Sequence, residues 1–121
     1  MLEYLYKAGY TLGIISNSDK DIYYLTSCLT KYNIIQYFKG AILVASMTGM
    51  KEKPSSVMFR KALDIDGVIP SNALMVGNKY TVDIIGAKRA GMKTALVDRK
   101  HEPTGKEDIY IKNLLELGLY L

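Results

Sequence analysis

At 121 residues the chain can build one modest hydrophobic core, and its 49% hydrophobic and 23% charged residues fit an ordinary globular domain and exclude disordered and fibrous classes. The net charge of +4 is dispersed, with no basic run longer than Lys88-Arg89 or Arg99-Lys100 and no aromatic residues interleaved with them, so no nucleic-acid partner is expected. No apolar run approaches a membrane span, the N-terminus lacks the basic and apolar regions of a leader, and the lone Cys28 cannot form an internal disulfide, which together predict a cytoplasmic, membrane-free protein.

In chain order, an N-terminal helix ends at Gly9, and Thr11–Ser16 is the first of four almost continuously apolar runs. The others are Ala41–Ala45, Ala73–Val76 and Thr94–Val97. Runs that do not alternate belong to strands covered on both faces, as in a parallel sheet. Between them lie segments of helical period: Lys20–Lys31 with Ile22, Leu25, Cys28 and Leu29 on one stripe, Ser56–Leu63, and Thr81–Ala90. Cys28 is read as a buried thiol on that stripe. Gly9 and Gly91 suit left-handed positions after helices, while Ser18 or Asp19 and Thr81 are plausible N-caps. A strand at Ile109–Ile111 and a helix at Asn113–Leu119 close the chain, with no repeat or linker at which a second domain would begin. Residues 1–121 are therefore expected to form a single α/β domain, a Rossmann-like parallel sheet with helices on both faces.

In such sheets ligands bind beyond the carboxyl ends of the strands. There the sequence places Ser16-Asn17-Ser18, the segment ending Lys53-Pro54, the loop Gly77–Asp83, and Asp98-Arg99. A hydroxyl can bond a phosphate oxygen, a lysine can neutralise its charge, and an acidic loop can hold a divalent cation. Each has an ordinary structural reading: a capping turn at Ser16 and Asn17, a solvated lysine, and an acid at a helix start for Asp83. Their convergence is what favours a phosphoryl site. His101, in a polar stretch, reads as a surface residue, and Tyr4, Tyr6, Tyr23 and Tyr24 are assigned to packing by default.

These segments resemble the haloacid-dehalogenase superfamily. "GIISNS" at Gly13–Ser18 is similar to its second motif, "KPSSVMF" at Lys53–Phe59 to its third, and "VGNKYTVDIIGAKRAGM" at Val76–Met92 to its fourth, in matching order from Met1 to about Arg99. The resemblance implies a phosphatase-type hydrolase acting on a phosphorylated small molecule, with Ser16 and Asn17 lining the phosphate site and Lys53 as both catalytic and phosphate-binding lysine. It implies a Mg²⁺ loop at Asn78 and Asp83, weakened because metal-dependent members carry an aspartate where Asn78 stands.

The family's first motif, an apolar strand ending in Asp-x-Asp, is expected ahead of Met1 together with any cap, so the chain is expected to be a truncated core, inactive alone. "LDIDGVI" at Leu63–Ile69 imitates that motif, but Asp64 and Asp66 follow an amphipathic helix and no apolar strand leads into them. The alternatives are a non-catalytic phosphate-binding or assembly module and, third, a metal-independent dehalogenase-like hydrolase, which the uncharged Asn78 would permit. In the family the nucleophile strand lies between those corresponding to Thr11–Ser16 and Ala73–Val76. Without it these strands either pair directly or leave open edges, and the second course predicts a homo-oligomer or a complementing N-terminal fragment.

Overall fold

The computed structural model describes residues 1–100 and 103–121. His101 therefore lies outside the described residues. The chain divides into two compact units: residues 1–53 with 57–67, and residues 54–56 with 68–121.

The first unit runs through helix α1 (Leu2–Lys7), strand β1 (Ile14–Ser16), helix α2 (Ile22–Lys31), strand β2 (Ile42–Val44) and helix α3 (Val57–Asp66). β1 and β2 pair in parallel, Ile14 opposite Ile42 and Ser16 opposite Val44. Leu43, Val44, Met58, Phe59 and Leu63 are buried, with Met58 and Phe59 fully so. Ile15, Ala45, Met47, Met50 and Ala62 pack around a buried cluster of Ala41, Leu43 and Met58. Removing the Phe59 side chain from such a site would forfeit about 3–5 kcal/mol.

The cap of α2 is Asp21, not Ser18 or Asp19 as the sequence suggests. The Asp21 side chain accepts from the Tyr24 N–H at 2.9 Å. Ser18 Oγ instead accepts from the Lys20 N–H at 3.0 Å, which holds the turn one step earlier. Cys28 is half-buried and free, a shallower position than its place on the apolar stripe implies.

The second unit holds β3 (Leu74–Gly77), a π-helical turn (Tyr80–Ile84) running into α4 (Ile85–Arg89), β4 (Lys93–Val97) and β5 (Ile109–Ile111). Its sheet has the order β3-β4-β5, all parallel. Thr94, Ala95, Leu96, Ile84, Ala87 and Ile111 are buried. Thr94 is fully enclosed without penalty because its N–H and Oγ1 both bond Asp108 Oδ2, at 2.8 and 3.1 Å. The final segment, Leu114–Leu119, is 3₁₀ and not α-helical, capped by Asn113. Gly9 and Gly91 have φ of 92° and 83°, the left-handed positions expected of them.

The mixed α/β architecture with parallel strands is the one the sequence predicts. The first unit's sheet has the order β1-β2. β1 and β3 are half-buried along their length, whereas β2 and β4 bury most of theirs.

Candidate anion-binding site

β1 ends at Ser16, and the chain turns at once. Ser16 Oγ accepts from the Ser18 N–H at 3.2 Å, a local turn that leaves the hydroxyl proton free to be donated elsewhere. Next to it, the Asn17 carboxamide reaches across to Lys53. Its Oδ1 accepts from the Lys53 N–H at 2.7 Å, and its Nδ2 donates to the Lys53 carbonyl at 3.1 Å. The Lys53 Nζ donates to the Ile15 carbonyl at 3.0 Å. That carbonyl belongs to the peptide joining Ile15 to Ser16, so the ammonium lies at the carboxyl end of β1. Three of the residues singled out in the sequence, Ser16, Asn17 and Lys53, are thus brought together within the first unit by contacts spanning 36 and 38 positions.

In the second unit the loop after β3 is closed by Asp83. Its side chain is buried, with the residue 5% exposed, and Oδ2 accepts from the N–H groups of Asn78 and Lys79 at 3.1 and 3.2 Å. Thr81 does not cap this helix. Lys79 takes the N-cap position without a side-chain bond, and the Asp83 carboxylate, inside the π-helical turn, reaches back to accept from the N–H groups of Asn78 and Lys79. Gly77 is required there, since a Cβ would come within 2.5 Å of Asp83 Oδ2.

Asn78 and Asp83 supply one amide and one carboxylate, and that carboxylate is already engaged by two N–H groups. Mg²⁺ prefers six oxygens in near-octahedral array. Among the described residues no group of three or more His, Cys, Asp or Glu side chains is placed to hold a metal ion. These two residues alone do not fit a tightly held cation.

The internal Asp-x-Asp has a structural task. α3 continues through Asp64 to Asp66, and the Asp66 carboxylate accepts from the Ala41 N–H at 3.1 and 3.3 Å, joining the helix end to the start of β2. What sequence reasoning missed is the reciprocal Asn17–Lys53 clamp, a contact with no periodic or local signature.

A hydroxyl-bearing residue and an ammonium stand at the carboxyl end of a parallel strand, the edge where α/β sheets of this class bind their ligands. A model of the haloacid dehalogenase-like hydrolases matches residues 1–97, and the chain belongs to that family. It is 37% identical over 93 residues to glyceraldehyde 3-phosphate phosphatase of Methanothermobacter thermautotrophicus, covering 74% of this chain and 38% of that protein. It is 30% identical over 122 residues to pyrophosphatase PpaX of Bacillus anthracis, covering 97% of this chain and 54% of that one. Among solved structures, a HAD phosphatase from Thermococcus onnurineus superposes with a TM-score of 0.84 at 28% identity, covering 98% of this chain and 54% of the other. The chain spans about two fifths to just over half the length of these relatives. No described helix is long and apolar enough to cross a membrane.

Proposed function

We propose that this chain is the phosphate-gripping part of a phosphatase-type hydrolase, acting on a phosphorylated small molecule. The observation that carries the reading is the bond from the Lys53 ammonium to the Ile15 carbonyl, at the end of the strand that Ser16 closes. A cation and an O–H donor at one strand end suit an anion bearing several oxygens, as the phosphate esters and anhydrides named for the relatives do. Amide chemical shifts during a titration with inorganic phosphate test it: shifts centred on Ser16 and Lys53, abolished by Lys53→Ala, are expected, and shifts confined elsewhere would refute the site.

The same reading makes the 121 residues inactive alone. Ser16, Lys53 and Asp83 can bind or orient a phosphate, but none is placed to form the covalent phospho-enzyme that this family's mechanism requires. Asp66 is engaged with Ala41, and Asp64 is exposed on α3. The purified chain is expected to show no turnover of phosphomonoesters with Mg²⁺, and turnover abolished by Asp64→Asn would reverse that assignment.

A second reading, an assembly module, is favoured by the half-buried apolar strands β1 and β3. An apolar strand that carries no charge or proline to guard it invites pairing with another chain. Self-association, or complementation by an N-terminal fragment, is the expected consequence, and a clean monomer in sedimentation at micromolar concentration would exclude the first.

A further inference from the structure

Asn17 adjoins the Ser16 hydroxyl, yet its side chain is committed to the backbone of a residue 36 positions later. A carboxamide presents an acceptor and a donor side by side, which lets it hold both the N–H and the C=O of one residue. It does so here at 2.7 and 3.1 Å. Lys53 is restricted a second time by Pro54, whose ring confines the preceding residue to extended backbone. A third restraint is the bond from its ammonium to the Ile15 carbonyl at 3.0 Å. Lysine is otherwise a flexible stem bearing a point charge, and holding it still is the larger part of the difficulty in using it.

We propose that Asn17 is a positioning residue and not an anion ligand: its carboxamide fixes the Lys53 backbone so that the ammonium is delivered to the carboxyl end of β1 beside Ser16. A side chain held at both polar atoms is not available to turn and follow an anion. The importance of the clamp for binding rests on the phosphate-site reading above, but the clamp itself does not.

Two measurements on the 121-residue chain test the assignment. The first is a double-mutant cycle on inorganic phosphate affinity, measured by NMR, with Asn17→Ala, Lys53→Ala and the double variant. Asn17→Ala is expected to weaken binding about 5- to 10-fold, the size of one or two hydrogen-bond effects, and the double variant to bind no more weakly than Lys53→Ala. A double variant weakened by the full product of the two single effects would make Asn17 an independent ligand and overturn the proposal.

The second is amide hydrogen exchange without phosphate. The Lys53 N–H is expected to exchange at least ~10-fold more slowly than that of exposed Lys51, and to lose this protection in Asn17→Ala. Equal exchange at Lys53 and Lys51 in the unsubstituted chain would overturn the proposal even if the alanine variant failed to fold. If the chain binds no phosphate, the anion-site reading fails separately, and exchange at Lys53 alone decides whether Asn17 is a clamp.

Discussion

The lysine cluster of the first unit and the aspartate loop of the second are built on opposite plans. Lys53 is brought to Ile15 and Asn17 by hydrogen bonds spanning 36 and 38 positions, whereas Asp83 bonds amides only four and five positions earlier. The lysine cluster is a long-range assembly of separate strands and loops. The aspartate loop bonds its own carboxylate to amides four and five positions earlier. A charge presented by the first plan depends on the packing around it; one held by the second depends on the space inside a single turn.

That contrast can be broken most forcefully at Gly77. An alanine there drives its Cβ into Asp83, and the backbone must move to admit it. We expect a loss of about 3 kcal/mol, at the upper end for overpacking, measured by chemical denaturation, with exchange protection lost first around residues 74–84. A stable Gly77→Ala variant would mean that the loop is not closed as described.

Next comes Asp83 itself. Asp83→Ala strands the N–H groups of Asn78 and Lys79 and should cost about 2 kcal/mol. Asp83→Asn keeps one acceptor oxygen and should cost less. Equal losses would show that charge, not hydrogen-bond acceptance, holds the turn.

In the unit that carries the lysine, Asp66→Ala removes the acceptor for the Ala41 N–H and should cost about 1 kcal/mol, read as a shift of the denaturation midpoint. An effect as large as that of Gly77→Ala would show that the two plans do not differ in how they bear local damage.

The smallest effect is one of pH. Burial raises the Glu107 pKa, but hydrogen bonds from Thr104, through both its side chain and its N–H, and from its own and Lys106 backbone groups, outweigh it and hold the carboxyl below its ordinary value of 4.5. A depressed carboxyl contributes stability above its unfolded value, and the contribution fades as pH falls through the folded one. Stability should therefore decline slightly more steeply below about pH 4.5 in the native chain than in Glu107→Gln. Identical acid profiles would remove Glu107 from the account.

Much of the architecture was legible because apolar runs and helical periods are local properties of sequence. The run at Ile109–Ile111 is the strand itself, and Lys20–Lys31 differs from α2 only at its start. Strand ends were less legible, since a ladder needs a partner: of Thr11–Ser16 only Ile14–Ser16 pairs regularly with β2. Caps were less legible, because several residues in a row could serve and the turn ahead of the helix decides which one does. The N-cap falls at Lys79 instead of Thr81, and at Asp21 instead of Ser18 or Asp19. Ser16, Asn17 and Lys53 could be chosen from their positions after strands, but the partners that give Asn17 its place could not. A bond between side chain and backbone 36 positions apart leaves no periodic trace.

The π-helical turn at Tyr80–Ile84 also governs how far the length of this segment may vary. Such a turn carries one residue more than an α-helical one, and each residue rotates the remainder of the helix by about 100°. Shortening it by a single residue would rephase α4, bringing the exposed Lys88 into the buried position of Ala87 and the buried Ala90 into the exposed position of Arg89. The stretch between Gly77 and Ile85 is thus intolerant of deletion even where its side chains are exposed, and it acts as a spacer whose count matters more than its composition.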